Sequence, residues 1–421
     1  MKKVYKFGGA SVKDAANIIR LSKQLKADIH PHKVVVISAL GKMTNAFEVL
    51  VNAYYDQKRD DIAMAYRVIY DYHYGIIADL FERPQLGLID QLFEQLAQRI
   101  EEVPSMNFDY EYDQIVSFGE ILSTTLISEY LNFVGVKNSW IDIRPVLRTS
   151  ENYREGNVDW NISSQNIQKQ FVFTENHSML YITQGFIAST YTNLTTTLGR
   201  EGSDYSAAII AHCLNAMSVT IWKDVEGVLN ADPRYFEVSQ KIERISYKDA
   251  IELAYFGASV IHPKTLKPLR TKQIPLYVRS FVDPTLSGTM IGNGPYDTIL
   301  PPIYILKRDQ VLITISDRDL SFLSEEDIAF FYQTLSEHQA KSNLVQQSAL
   351  YFSVVIDKNH RQFEEMVGKL MENYKVMYNQ NLELLTIQNS EPKLDNLDYI
   401  QDREVLIEQH SRKTSRYLVK Q

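Results

Sequence analysis

Four times in the first 224 residues a short apolar run stops at a glycine or a polar residue: Val4 to Phe7 at Gly8, Val34 to Ile37 at Ser38, Met179 to Thr183 just ahead of Gly185, and Ser218 to Lys223 at Asp224. Val34 to Ile37 is four branched residues in a row, the mark of a strand buried on both faces of a parallel sheet. In an open parallel sheet with helices on its faces, the carboxyl ends of the strands share one edge, and ligands bind outside that edge. Gly8, Ser38, Gly185 and Asp224, far apart in sequence, are therefore expected to converge.

The residues at these turns suit anions. Gly8 and Gly9 follow a strand and precede a helical pattern beginning near Asp14, so backbone N–H groups can approach phosphate oxygens while Lys6 neutralises them. A glycine pair after a strand is also an ordinary tight turn, so this reading leans on the other elements. SALGKMTN gives a second polar turn with Ser38, Gly41, Thr44 and Asn45; Thr44 also suits a helix N-cap. From Thr195 a threonine-rich loop passes Gly199, Arg200, Gly202, Ser203 and Asp204 into Ala207, Ala208, Ala211 and Leu214 at helical spacing. Ser203 suits the N-cap, free N–H groups of the first turn make an anion site, and Arg200 adds a planar fork for a carboxylate or phosphate. In SFGEILSTTLISEYL, Glu120 falls in the first turn of an amphipathic helix, where a glutamate also serves the helix dipole. No GxxxxGKS or GxxxxGKT occurs, which excludes the P-loop route to phosphate binding.

The remainder sets the domain plan. Residues 46–102 read as a helical insertion whose tyrosines, Tyr54 through Tyr74, fall at packing positions. Asp109 to Asp113 reads as a solvated acidic loop. Trp140 to Ile143 reads as another short strand, and YKDAIELAYFGASVIHPKTLKPL as a helix closed by Gly257, then a short strand to a structural His262. Residues 292–302, GNGPYDTILPP, are the strongest domain boundary. Beyond it come strand (Val311 to Ser316), helix (Ser324 to His338, capped by Ser324 and Asp327), two strands, helix (Arg361 to Asn373) and strand to Tyr378, a βαββαβ order. Extra strands at Leu382 to Gln388, Glu404 to Gln409 and Thr414 to Lys420 point to a second, reduced module sharing the sheet.

The 421 residues carry a net charge of -8, which argues against nucleic acid as the main partner. The single cysteine, Cys213, excludes an internal disulfide and reads as a small buried hydrophobe. No stretch reads as a signal peptide or membrane span, so a cytoplasmic enzyme is expected.

Taken together, TTTLGREGSDY, WKDVEGV and ADPR, the opening KFGG, SFGEILS and the FGASVIHP segment closely resemble aspartate kinases of the amino-acid kinase family. Where the family pattern has glycine, threonine, threonine and often lysine, this chain has Glu201, Lys223, Ala10 and Ser259. The resemblance implies a three-layer αβα amino-acid kinase fold over residues 1–295, with a helical insertion at about 46–115. A ferredoxin-like ACT-type regulatory region would follow over 303–421, as modules of about 308–380 and 381–421. It implies that ATP, with Mg2+, phosphorylates L-aspartate to 4-phospho-L-aspartate, the first step of lysine, threonine and methionine biosynthesis. An amino acid such as lysine or threonine would regulate the reaction, in a homodimer or higher homo-oligomer joined through the ACT-type region. Lys6 and Asp204 would be catalytic. Thr44, Glu120, Arg200, Glu201, Gly202 and Ser203 would hold the amino acid, with Glu120 on its ammonium. Lys6, Gly8, Gly9, Ser38, Lys223, Asp224, Leu229, Arg234 and Ser259 would line the nucleotide, and with Ser259 in place of a cation, Lys6, Lys223, Arg234 or Lys264 would supply more of the charge. No protein-ligated metal site and no fused homoserine dehydrogenase are expected. The alternatives are a kinase for glutamate or acetylglutamate, and a catalytically silent amino-acid sensor, which Ala10 and Ser259 motivate.

Overall fold

The structure, a computed structural model, describes residues 1–82, 87–174, 179–237, 239–257, 261–294, 300–319, 321–358, 362–389 and 399–420. They fall into two compact units: Met1–Val228, Lys241–Ile251 and Val260–Asp297 form the first, and Leu229–Gln240, Glu252–Ser259 and Thr298–Gln421 the second.

The strands of the first unit are β1 (Lys3–Phe7), β2 (His32–Ile37), β3 (Ser139–Ile141), β4 (Met179–Gln184), β5 (Ile187–Ser189), β6 (Thr195–Thr197) and β7 (Ser218–Lys223). A short pair, β8 (Val228–Leu229) and β9 (Lys241–Ile242), and then β10 (Arg244–Ser246), β11 (Leu276–Ser280) and β12 (Thr289–Gly292) follow. Eight of these make one sheet in the order β10-β12-β11-β7-β1-β2-β4-β3. From β3 to β11 every pairing is parallel, and β12 runs antiparallel to β11. Register fixes the edge. Phe7 lies opposite both Ile37 and Trp222, and Ile37 lies opposite Gln184. The next residues, Gly8, Ser38, Gly185 and Lys223, therefore leave four adjacent strands side by side.

Helices cover both faces. Trp160–Gln170, Gly202–Leu214 and Pro263–Thr271 pack together on one side, with Gly202–Leu214 against β1, β2 and β7. On the other, Ile18, Leu21 and Leu25 of the Ala15–Ala27 helix and Leu122 and Leu126 of the Phe118–Phe133 helix close over Tyr5, Phe7, Val35, Ile37 and Ile182. Phe7 and Trp222 stack on adjacent strands with centroids 6.0 Å apart and planes 7° apart. Cys213 is buried among these helices as an unpaired thiol, and burial pushes its pKa up to about 11.

The insertion is built from helices Met43–Tyr55, Arg59–Leu80, Gly87–Glu101 and Phe108–Val116. Its tyrosines pack as their spacing predicts: Tyr70 and Tyr74 stack at 4.2 Å and both meet Phe93. The acidic stretch does not follow its sequence reading. Asp109 to Asp113 lies in the Phe108–Val116 helix, capped by the Asn107 side chain, and Glu111 and Asp113 are buried, 1% and 0% exposed. Arg99 and the Ser105 N–H satisfy Glu111. Asp113 accepts from the N–H of Arg154 at 2.9 Å and from the N–H and hydroxyl of Thr197 at 2.9 and 2.7 Å. Burial nevertheless pushes the Asp113 carboxyl up to about 6.

The second unit contains β13 (Ile303–Ser316), a helix Glu325–Glu337, β14 (Ser342–Gln347), β15 (Phe352–Asp357), a helix Phe363–Met371, β16 (Lys375–Gln388), β17 (Val405–His410) and β18 (Thr414–Lys420). The first six elements run βαββαβ. All six strands form one antiparallel sheet in the order β14-β15-β13-β16-β18-β17. Ser324 and Asp327 form a reciprocal capping box on the first helix. Phe331, Leu335, Met366 and Leu370 press on Val311, Ile313, Phe352 and Val354. The strand expected to stop at Tyr378 and the one expected to start at Leu382 are a single 14-residue strand, paired along its length with the 14-residue β13. Each carries a left-handed residue at the joint, Asp309 (φ 54) and Asn381 (φ 57), where the register shifts. Among the described residues no helix is long and apolar enough to cross a membrane.

Candidate active site

Lys6 is the next-to-last residue of β1, and its side chain leaves on the face covered by the Gly202–Leu214 helix. There it meets Asp204, in that helix's first turn, with Nζ 2.7 Å from Oδ1. Both residues are buried, at 8% and 3% exposed. The ammonium of Lys223, at the end of β7, stands 4.0 Å from the other Asp204 oxygen. One carboxylate thus holds two cations at the edge where β1 and β7 end side by side.

Glu120 occupies the first turn of the Phe118–Phe133 helix and is 2% exposed. Its Oε1 accepts from the Ala39 N–H at 3.3 Å, one residue past Ser38, and its Oε2 has no hydrogen-bond partner among the described residues. Burial drives its carboxyl up to about 8, and the Ala39 N–H and the Lys6 charge pull in the other direction. A buried carboxyl with a vacant oxygen is a receptor for a cationic donor.

Close backbone approach shapes the turns. A Cβ on Gly9 would sit 2.5 Å from the Gly41 carbonyl oxygen, and the Gly41 N–H donates to the Gly9 carbonyl at 3.1 Å, joining the first two turns. A Cβ on Gly185 would sit 2.5 Å from the Ser203 Cβ. Gly8 and Ser38 are half-buried, as is Thr44 in the first turn of the Met43–Tyr55 helix. Ser38 fixes the neighbouring helix, its carbonyl accepting from the Ser123 hydroxyl at 2.7 Å.

The loop into the central helix departs from the expected capping. The N-cap is Glu201, held at φ 55 in the left-handed region, and Ser203 lies inside the first turn. The N–H groups of Gly202 and Asp204 already donate to the Gly199 and Glu201 carbonyls, which leaves the Ser203 N–H without a backbone acceptor among the described residues. The left-handed conformation explains why glycine suits position 201. Glu201 turns its Oε2 onto the N–H of His262 at 2.8 Å, and His262 caps the Pro263–Thr271 helix by accepting from the Lys264 N–H. Arg200 is exposed and makes no ion pair among the described residues. Asp224 is exposed just past β7. Leu229 and Arg234 belong to the second unit, where the Arg234 guanidinium forks onto Asp232. Ser259 lies outside the described residues.

Two positioning groups escape sequence reading. The Ala39 N–H aims Glu120, and Asp113 ties β6, whose last residue is Thr197, to the insertion just ahead of Arg200. A backbone donor leaves no sequence signal. Asp113 had one: Phe108, Tyr112, Ile115 and Val116 follow Asn107 at helical spacing.

Comparison with known proteins extends this picture. The model of the amino acid kinase family matches residues 1–280. The lysine-sensitive aspartokinase 3 of Escherichia coli (strain K12) is 32% identical over 358 residues, covering 84% of this chain and 78% of that protein. The chloroplastic bifunctional aspartokinase/homoserine dehydrogenase 2 of Arabidopsis thaliana is 33% identical over 307 residues, 70% of this chain and 33% of that protein, so the chain spans about a third of such a relative. The crystal structure of E. coli aspartokinase III in complex with aspartate and ADP (R-state) aligns with a TM-score of 0.84 at 28% identity, over 100% of this chain and 96% of that one. The complex of the same enzyme with lysine and aspartate (T-state) gives 0.82 over the same shares. A sheet edge that gathers Lys6, Lys223, Asp204 and Glu120, on a chain whose residues 1–280 match the family model and 84% of which aligns with an aspartokinase at 32% identity, places the chain in the amino acid kinase family, among the aspartokinases.

Proposed function

We propose that the chain transfers the γ-phosphoryl group of ATP to the side-chain carboxylate of L-aspartate, giving 4-phospho-L-aspartate and ADP. The observation that carries this is the Lys6–Asp204–Lys223 cluster, Lys6 and Asp204 buried within it, at the same sheet edge as the vacant oxygen of Glu120. The bond from the γ-phosphorus to the bridging oxygen breaks, its electron pair leaves with ADP, and an aspartate carboxylate oxygen forms the new P–O bond. That nucleophile is ionised at neutral pH, so no proton must be moved. The barrier is bringing anion to anion, and the protein's part is positioning and charge neutralisation.

In this reading Lys6 stabilises charge on the transferred group and Asp204 keeps Lys6 and Lys223 in place. Glu120 takes the substrate ammonium. Arg200, with the Ser203 N–H and hydroxyl, takes its α-carboxylate, while Thr44 and Gly202 complete the pocket and Glu201 shapes its loop. Gly8, Gly9, Ser38 and Asp224 border the nucleotide; Leu229, Arg234 and Ser259 are assigned to it by sequence similarity alone. Among the described residues no three His, Cys, Asp or Glu side chains are grouped to hold a metal. Asp224, exposed just past β7, is the carboxylate the chain would offer a magnesium ion carried in on the triphosphate, where the ion would neutralise phosphate charge.

Residues 1–295 would be catalytic and 303–421 regulatory, in modules of about 308–380 and 381–421. Lysine is the effector to test first, because an E. coli aspartokinase III structure contains it. A cytoplasmic homodimer paired through the regulatory region completes the reading. ATP-dependent hydroxamate formation with aspartate, glutamate and acetylglutamate offered separately tests it. Turnover on aspartate alone is expected; turnover on another acid, or on none, rejects it.

A further inference from the structure

The first two turns of the site meet backbone on backbone. The Gly41 N–H donates to the Gly9 carbonyl at 3.1 Å, and a Cβ on Gly9 would sit 2.5 Å from the Gly41 carbonyl oxygen and 2.9 Å from that of Ala39. Glycine-rich chain of this kind has wide conformational freedom of its own, so a neighbouring element has to hold the junction in one arrangement.

The Arg59–Leu80 helix of the insertion reaches that junction through Tyr72. Its hydroxyl donates to the carbonyl of Lys13, the residue that closes the short Gly9–Val12 turn. The same hydroxyl abuts Gly41, which lies in the left-handed region at φ 53. A Cβ at Gly41 would run into the Tyr72 oxygen and come within 3.4 Å of the ring carbon that bears it. One phenol therefore touches both turns, holding the first by a hydrogen bond and the second by contact.

Its support is firm. Ile69, His73, Ile76 and Ile77 of the same helix are buried, and Tyr72 itself packs half-buried against the core of the first unit. Burial and the Asp14 carboxylate raise the Tyr72 pKa, so the hydroxyl keeps its proton and remains a donor at neutral pH.

We infer that Tyr72 is a positioning residue for phosphoryl transfer: acting through the Lys13 carbonyl and Gly41, it sets the Gly8–Gly9 turn against the turn that runs from Ser38 to Thr44. Which ligands the two turns hold rests on the proposed function; the clamp between them does not. Misplacing reacting groups by about 1 Å costs about 10²-fold in rate, and the Gly9–Gly41 hydrogen bond survives loss of the hydroxyl, so a smaller loss is expected here.

Tyr72→Phe removes the hydroxyl and keeps the ring. On the full chain it should lower kcat about ten- to thirtyfold, leave KM for ATP and for aspartate within about threefold, and move the melting temperature by less than about 4 °C. Hydrogen exchange read by mass spectrometry should become at least about fivefold faster in segments 8–13 and 38–43 and stay unchanged in β1 and β2. Gly41→Ala should lower kcat about 10²-fold in the parent and at least about fivefold less in the Tyr72→Phe background, where the atom its Cβ meets has been removed. Tyr72→Met serves in the same measurements if the phenylalanine variant misfolds. The inference is overturned if kcat stays within about twofold of the parent, if exchange in both segments is unchanged, or if Gly41→Ala costs the same in both backgrounds. Faster exchange spread over the whole first unit would mark Tyr72 as merely structural and overturn it too. A parent that phosphorylates no acid rejects the proposed function instead, and the exchange of the two segments then decides the clamp by itself.

Discussion

Replacing Glu120 by glutamine should stabilise the unliganded protein and disable it as a kinase. The carboxyl is 2% exposed, holds one long hydrogen bond from the Ala39 N–H, and is pushed from 4.5 up to about 8 by burial. A raised carboxyl pKa means that the folded state binds a proton more tightly than the unfolded one. The contribution is therefore fully present below pH 4.5 and is lost progressively as pH rises toward 8, with no further loss above it. At 1.36 kcal/mol per pH unit, the interval from 4.5 to about 8 sets a ceiling of about 5 kcal/mol. Water entry and relaxation reduce it, and about 1–3 kcal/mol at pH 8 is the working expectation. Glutamine keeps the shape and the acceptor for Ala39 and carries no charge to bury. Thermal melts at pH 5 and pH 8 should show Glu120→Gln losing this part of the pH dependence and melting about 2–8 °C above the parent at pH 8. In the parent, an arriving ammonium should displace the proton, so aspartate binding near pH 7 should release close to one proton, seen as a buffer-dependent heat by calorimetry. A variant that melts lower than the parent at pH 8, or parent binding heats that are the same in phosphate and Tris, would refute the reasoning.

Three further outcomes follow from the geometry. Lys6→Met, which keeps the side-chain stem and removes the ammonium 2.7 Å from Asp204, should lower kcat by about 10²- to 10³-fold in a coupled ADP assay; a loss under tenfold would remove Lys6 from the transition state. Gly185→Ala drives a methyl to within 2.5 Å of the Ser203 Cβ, so the loop must shift, and kcat/KM for aspartate should drop about 10²-fold with an unchanged circular dichroism spectrum. Asp113→Ala strips the acceptor from three donors on Arg154 and Thr197; a loss of about 3 kcal/mol is expected, read as a melting temperature lower by about 6–12 °C, and a change below 2 °C would show these bonds to be replaceable.

The strand ends were legible because each is marked twice, by a branched run that must be buried and by a glycine or polar residue that must not continue it. Val34 to Ile37 and Ser38 show this most plainly. Lys6, Asp204, Lys223 and Glu120 could be placed at element ends from sequence, while the roles proposed for them rest on the resemblance. Asp113 was lost for the opposite reason. Its partners lie 41 and 84 residues away, and a carboxylate whose donors are that distant looks like any solvated acid. Ser203 was read as the cap from residue preference, whereas a backbone already left-handed at Glu201 decides where the helix begins. Arg234, which the resemblance assigns to the nucleotide, lays its fork on Asp232 two residues earlier, a pairing that residue preference alone does not signal. The joint in the last region was hidden because Asn379, Gln380 and Asn381 look like a loop, and only pairing with β13 makes them part of a strand.

That unbroken strand makes the second unit hard to dismantle. β16 pairs with β13 along its whole length and with β18 through its second half, from Leu382 onward. A chain ended at residue 380 would expose the hydrogen-bonding edge of β13 over Ile303 to Gln310 and uncover Leu312, Leu344 and Val355, which pack against Leu384, Ile407 and Leu418. Neither half is a detachable part, and shortening the protein there should yield an aggregating fragment in place of a smaller folded unit.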